Sequence, residues 1–216
     1  MSRPEPTDLR ERRRAFTAGE IERVAVDLFA ARGFDEVTVD DIAEAAGISP
    51  RTFFRYFPTK ADVVRAHQDR LFQRLVRALR ARPASEGPVT ALREAFRATT
   101  QMRSEDRERI VLIGRLLATA DDWLAGDVGF DVDRTGELVE LVADHAGVDA
   151  RRDLRPVVIV ASMLGTAQAA FHAWLDRDGR VELTRLLDEA FDVLDQGLCA
   201  LDRSSQPRPR RATTGG

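Results

Sequence analysis

The chain has 216 residues, a formal net charge of −3 and a single cysteine, Cys199. One cysteine excludes an internal disulfide and favours a reducing compartment, and no N-terminal apolar stretch resembles a signal peptide, so we expect a cytoplasmic protein. The acidic balance argues against a non-specific polyanion binder, but a site-specific reader needs only a few well-placed arginines. Helix formers abound and alternating strand patterns are scarce, which predicts an all-α fold of about nine helices.

The N-terminal region begins with a segment rich in proline and charge, residues 1–14, which predicts a disordered basic arm. The first helix is predicted from about Thr17 to Arg32, and Gly33 ends it. Its apolar face is formed by Ile21, Val24, Ala25, Leu28 and Phe29.

Two short helices joined by a tight turn follow. Thr38 can cap the first of them, with Asp41 three residues later as in a capping box. Gly47 ends this helix, since helices commonly stop at a residue that tolerates a left-handed backbone. Ser49 then caps the second helix and Pro50 occupies its first position. This order predicts a helix-turn-helix.

The second short helix has two different faces at 100° per residue. Phe53 and Phe57 fall on one side, which suits burial. The opposite side carries Arg51, Thr52, Arg55 and Tyr56, with Phe54 on its flank. Arginine can donate two hydrogen bonds to guanine, and a tyrosine hydroxyl can donate to a phosphate oxygen. The alternative is a small three-helix unit with an aromatic core and solvated arginines.

A long helix is predicted from Lys60, the only lysine in the chain, to about Arg80. Thr59 caps it. A cation beside the free backbone N–H groups of a helix start suits a phosphate.

Several segments together resemble the DNA-binding domain of the tetracycline-repressor (TetR) family: residues 31–34, 38–43, 46–49 and 54–60. The resemblance covers about residues 15–65. It implies that Arg51, Thr52 and Arg55 face the major groove and that Thr38, Tyr56 and Lys60 hold phosphates. The predicted DNA-binding set is Thr38, Ser49, Pro50, Arg51, Thr52, Phe54, Arg55, Tyr56 and Lys60. The arginines of the N-terminal arm are a further candidate contact with the DNA backbone or minor groove.

The domain organisation follows from these elements. We predict a DNA-binding domain over residues 15–62, a helical ligand-binding and dimerisation domain over 63–203, and a disordered tail over 204–216. Helices are expected at about 89–102, 104–120, 134–146, 154–176 and 183–201.

The stretch from Pro156 to Leu175 contains no charged residue and is long enough to span a membrane. Its polar side chains and five alanines favour instead a buried interface helix, and no membrane partner is expected.

Two features of the last two helices predict a homodimer. Small residues recur every four positions in the first of these helices, which allows close helix approach. The second has a wider apolar face than one partner helix needs. The predicted interface residues are Ala161, Gly165, Ala169, Ala173, Leu187, Phe191 and Leu194. The alternative is that both faces are satisfied within one subunit.

A small-molecule effector is expected in the C-terminal domain. The candidate ligand-binding residues are Phe96, Met102, Arg115, Trp123, Phe171 and Trp174, although each apolar one is also a candidate for plain core. A weaker resemblance, to a TetR subgroup linked to acyl-CoA-like ligands, implies a hydrophobic effector.

No enzyme, metal or cofactor is predicted. The three histidines are far apart and lack metal-ligand spacing, and no phosphate-binding glycine loop or nucleophile motif is present. The sequence therefore predicts a TetR-type regulator that is released from a palindromic operator by its effector. An activator and a protein-docking module remain the alternatives.

Overall fold

The computed structural model describes residues 6–101, 107–124 and 132–197, and within these ranges all regular structure is helical. The helices of this part of the chain are α1 (Pro6–Arg32), α2 (Val39–Ala45), α3 (Pro50–Tyr56), α4 (Lys60–Arg80), α5 (Pro88–Thr100), α6 (Arg107–Leu124), α7 (Val132–Ala146), α8 (Arg155–Leu175) and α9 (Leu183–Gln196). The prediction of an all-α protein of about nine helices is confirmed.

The first helix is longer than the sequence pattern suggests. It begins at Pro6, so residues 6–14, which we predicted to be a disordered arm, are helical. A proline is compatible with the first helical position, and the leucine, glutamate and arginines that follow are strong helix formers. The Thr17 hydroxyl donates to the carbonyl of Arg13 within this helix. Residues 1–5 and the predicted tail 204–216 lie outside the described residues.

Helices α1 to α3 and the start of α4 enclose one hydrophobic core, which we call the head. Buried members come from every one of these helices, and the list includes Ile21, Phe29, Ile42, Phe53, Val63 and Val64. The second half of α4 packs with α5 and α7 to α9 around another core, which we call the body. Its buried members include Leu79, Leu92, Leu138, Val160, Trp174 and Phe191. The predicted boundary at 62/63 therefore falls inside one continuous helix.

Helix α6 joins the two cores. Val111 is buried in the body core, whereas Ile113 and Leu116 are buried in the head core. At Gly114 the helix passes close to α8, because a Cβ there would lie 2.7 Å from Phe171 Cζ and 2.8 Å from Leu175 Cδ2. The head thus contacts the body through α6 as well as through α4.

Helix α8 is long and apolar enough, by length and composition, to cross a membrane. It packs against α5, α6, α7 and α9, but only 22% of its most apolar window is buried within the subunit. One face of an apolar helix is therefore left uncovered by the described residues of its own chain.

Candidate nucleic-acid interface

The helix-turn-helix is built from local side-chain caps. The Thr38 backbone N–H donates to Asp41 Oδ2 over 2.8 Å, and the Asp41 N–H donates back to the Thr38 hydroxyl over 3.1 Å. Gly47 takes a φ of +65°, a conformation that costs little without a Cβ. The Thr52 N–H donates to Ser49 Oγ, and Pro50 follows that cap at the first position of α3. These contacts set the angle at which α3 leaves the turn.

Helix α3 presents a charged and aromatic face to solvent. Phe53 and Phe57 are buried in the head core. On the opposite side a concave surface of about 400 Å³ is lined by Arg51, Thr52, Phe54 and Arg55. The ring of Phe54 is 54% exposed, and it rests edge-on against Phe53 with the ring centroids 5.6 Å apart. The predicted division into a buried and an exposed face is confirmed by burial.

Tyr56 ends α3 beside the N-terminal half of α1. Hydrogen bonds from Arg55 and Thr17, with the nearby charge of Arg14, lower the pKa of the Tyr56 phenol. The Arg55 guanidinium also lies 5.1 Å from the centroid of the Tyr56 ring. The structure therefore adds Thr17 and Arg14 to the surroundings of this face. In the sequence, the cluster of N-terminal arginines indicated Arg14, and no signal indicated Thr17.

Lys60 lies in a different setting from the one we expected. Its Nζ donates to the carbonyls of Phe34 at 2.8 Å, Val37 at 3.2 Å and Asp35 at 3.3 Å, and it lies 4.4 Å from the Phe34 ring centroid. An ammonium group has three donors, so these contacts account for all of them. In this structure the charge of Lys60 faces the loop between α1 and α2.

Two aspartates at helix starts stay ionised to low pH. Hydrogen bonds from the Thr38 hydroxyl and backbone N–H, together with Arg32, lower the pKa of Asp41 to about 2. The Thr59 hydroxyl and N–H, with Arg65, lower the pKa of Asp62 in the same way. Both carboxylates lie in the first turn of a helix, where the helix dipole also favours negative charge.

Four of the six predicted ligand-binding residues have described side chains. Trp174 is fully buried and donates from Nε1 to the Val181 carbonyl over 2.9 Å, and Phe171 stacks on it. Phe96 packs instead against Phe191 in another part of the body core. Arg115 is half exposed and ion-pairs with Asp178. Met102 and the side chain of Trp123 lie outside the described residues.

The predicted dimer residues divide into two groups. On α8, Ala161, Gly165 and Ala169 are exposed, while Ala173 on α8 and Leu194 on α9 are partly buried. Leu187 and Phe191 are buried in the core of their own subunit, so their side chains are already covered before any partner binds.

A row of ion pairs lies where α9 packs on α5. The Arg93 guanidinium of α5 contacts Asp188, Asp192 and Asp195 of α9 over 2.7–3.4 Å, and it lies 5.9 Å from the Phe191 ring centroid. Burial of Leu187 and Phe191 in the body core contributes more to the packing of α9 on α5 than these partly exposed ion pairs do.

An all-helical head that exposes arginines on the second helix of a helix-turn-helix defines a class, the helix-turn-helix DNA-binding transcriptional regulators. Residues 21–67 match the family model described as "Bacterial regulatory proteins, tetR family", and residues 86–199 match that of the "MftR C-terminal domain". The chain belongs to the TetR family of transcriptional regulators. It is a regulator and not an enzyme.

Two relatives match over nearly their whole length. The HTH-type transcriptional regulator TcmR of Streptomyces glaucescens is 32% identical over 207 residues, 92% of each chain. MftR of Mycobacterium tuberculosis is 34% identical over 200 residues, covering 89% of this chain and 96% of the relative. Regulators of this family are typically cytoplasmic proteins.

A solved structure shares the fold across most of the chain. The TetR-family repressor FadR of Thermus thermophilus, in complex with lauroyl-CoA, is 26% identical with a TM-score of 0.56. The similarity covers 92% of this chain and 100% of FadR.

Proposed function

We propose that this protein is a homodimeric repressor that binds a palindromic operator through α3 and is released from it by a small hydrophobic effector. The observation that carries this proposal is the exposed face of α3, where two arginines and an aromatic ring surround a concave surface on a helix anchored by its buried phenylalanines. A helix of this kind fits the major groove.

The residues of this face would have different tasks. Arg51 and Arg55 lie one turn apart, and each can donate two hydrogen bonds to a guanine. The exposed ring of Phe54 can pack against a thymine methyl group. Thr38 and Tyr56, which flank α3, would donate to phosphate oxygens and fix the register without reading sequence. Ser49 and Pro50 would set the start of the reading helix.

Lys60 would act indirectly. Because its three donors hold the loop before α2, we propose that it positions the helix-turn-helix, in place of the phosphate contact that the family resemblance implies. Replacing it should weaken binding to all DNA sequences equally.

The dimer would form through the uncovered face of α8. Leu154 is 71% exposed and Val158 is 50% exposed, and Ala161 and Gly165 continue the same side of the helix toward its C-terminal end. Apolar and small residues in such a row allow a second copy of α8 to approach closely. A two-fold axis here would present two heads to two half-sites about 34–36 Å, or a multiple, apart.

The effector would act through the body. The complex of Thermus thermophilus FadR with lauroyl-CoA supports a hydrophobic, acyl-CoA-like ligand. A ligand that prefers the subunit arrangement with wrongly spaced heads would weaken operator binding by the same coupling free energy, typically ~1–3 kcal/mol. Helices α4 and α6, which contribute to both cores, would carry the change.

Selection of genomic fragments by the purified protein at moderate salt, followed by sequencing, tests this function. We expect enrichment of a short palindrome by the wild-type protein and no enrichment by an R51A/R55A variant. Equal enrichment by both proteins would place the reading elsewhere in the chain.

The selection also separates the alternatives. If the head docks on protein, the wild-type chain should enrich no sequence, and heparin affinity should lack a steep dependence on salt. A repressor and an activator differ in where the enriched site lies relative to its promoter, which a reporter assay measures.

A further inference from the structure

A groove of about 600 Å³ is lined by residues of α1 and α4 and by Arg109 of α6. None of its lining residues belongs to α3. Five arginines line it: Arg23, Arg70, Arg74, Arg77 and Arg109. These guanidinium groups differ in whether a carboxylate of the protein lies within ion-pair distance.

Three of the five are paired with carboxylates. Arg70 contacts Glu22 over 2.7 Å, and this carboxylate, with only 4% of its side chain exposed, also lies 2.8 Å from His67 Nδ1. Arg109 contacts Asp27 over 2.6 Å.

Arg23 lies 3.3 Å from Glu20 and 3.6 Å from Asp27. Its charge is therefore shared with two carboxylates on its own helix.

Within the described residues, no carboxylate neutralises the other two guanidinium groups. The Arg74 side chain makes one long hydrogen bond, to the Thr99 carbonyl over 3.5 Å, and the Arg77 side chain makes no ion pair or hydrogen bond with any described residue. Residues three apart on a helix are neighbours, with about 5–6 Å between their Cβ atoms. One phosphate or carboxylate group could therefore bind both arginines, and such charge-assisted hydrogen bonds are among the strong ones.

The same groove exposes apolar surface. Phe16 of α1 is 73% exposed and Leu71 of α4 is 39% exposed, and both line the groove. A volume of this size lies in the range of small-molecule sites, which combine apolar walls with a few polar groups. An inorganic anion would leave the apolar walls unused, and a neutral apolar molecule would leave the two arginines unpaired.

We propose that the groove binds a soluble amphipathic anion, with its phosphate or carboxylate on Arg74 and Arg77 and its apolar tail or ring against Phe16 and Leu71. The walls come from the head through α1 and from the long helices α4 and α6. An occupant therefore contacts helices of the head and helices that extend into the body at once. None of the lining residues belongs to α3 or to the buried body core.

Calorimetric titration of the full chain with octyl phosphate tests this assignment. We expect the affinity to fall at least about tenfold in R74Q/R77Q and several-fold in F16A, and to stay unchanged in R80Q. Arg80 is the matched control, because it lies on the same helix but pairs with Glu137 outside the groove. All four substituted positions are exposed, so circular dichroism should show intact folding.

Four results would overturn the proposal. Equal affinity of the wild-type chain and R74Q/R77Q would place the probe elsewhere. Octanol binding as tightly as octyl phosphate would remove the role of the anion, and inorganic phosphate binding as tightly would remove that of the tail. Flotation of the wild-type chain, but not of R74Q/R77Q, with phosphatidylglycerol vesicles would make the ligand a membrane surface. None of these measurements uses DNA, so their failure is separate from that of operator binding.

Discussion

The exposed faces of α3 and α8 differ in chemistry although both helices are anchored by buried apolar residues on the opposite side. Helix α3 presents two arginines and a phenylalanine ring, whereas α8 has no charged residue between Pro156 and Leu175 and presents mainly small and apolar side chains, with Gln168 and His172 exposed toward its C-terminal end. Guanidinium groups match base edges, and a small apolar row matches another helix. The part of each helix that its own fold leaves uncovered thus indicates the kind of partner that would cover it.

The largest effect is expected from closing the α8 face with a bulky side chain in G165L. A Cβ at Gly165 meets nothing within 4 Å in the subunit, so the fold should tolerate the change. A two-fold interface carries the substitution twice, and overpacking at about 1–3 kcal/mol per site should weaken the dimer by roughly 2–6 kcal/mol. Sedimentation velocity measures the dissociation constant.

The matched control is G136L, because Gly136 of α7 is also helical and has open space around its Cβ. G165L should form monomers at concentrations where G136L and the wild-type chain are dimers. Equal dissociation constants for both variants would show that α8 does not face a partner.

The α3 face is tested by R51A and R55A, with R80A as the control for loss of one positive charge. If each arginine binds a guanine, each variant should lose about 1–3 kcal/mol of operator affinity and accept other bases at one position. Fluorescence anisotropy against operators substituted base by base measures this. A loss of the same size on every sequence would mean that these arginines contact only the backbone.

Replacing Lys60 distinguishes a positioning role from a phosphate contact. K60Q removes hydrogen bonds to the loop before α2, so we expect the free energy of unfolding of the free protein to fall by on the order of 1 kcal/mol. Its melting temperature should fall accordingly. Operator affinity should fall for all sequences, with an unchanged salt dependence. A phosphate contact would instead reduce the salt slope by about one and leave the melting temperature of the free protein unchanged.

The smallest effect concerns the start of α2. The pKa of Asp41 is lowered to about 2 in the folded protein and lies near 3.9 in an unfolded chain. Its stabilising contribution is therefore complete above the unfolded value and is lost as the pH falls toward 2. Urea unfolding of the wild-type chain and D41N should show a stability gap at pH 7 that narrows by pH 3. A gap independent of pH would contradict the assignment.

The helix-turn-helix could be predicted from sequence because its signals are local. Thr38 with Asp41, Gly47, and Ser49 with Pro50 act within three or four residues of the chain, and the structure has each cap where the sequence places it. A local signal misled us at Pro6: the proline-rich and charged composition of residues 1–14 predicted disorder, but Pro6 begins a helix.

Long-range choices could not be predicted in this way. The apolar spacing of α9 shows that it buries a face, but not whether α5 or another subunit covers it, and the three aspartates that meet Arg93 are separated from it by about a hundred residues. Lys60 likewise had two possible partners, a phosphate and a loop more than twenty residues earlier. The arginine groove forms only when α1, α4 and α6 meet. The sequence pattern of each helix alone gives no sign of it.

Helix α6 also bears on how this protein could be cut and recombined. Because Ile113 and Leu116 complete the hydrophobic core around the helix-turn-helix, a fragment ending near residue 65 would expose part of that core to water. We expect such a fragment to unfold at a lower temperature than the full chain. A chimera that grafts this reading helix onto another sensor should therefore retain α6, or import a helix that presents the same two apolar side chains to α1.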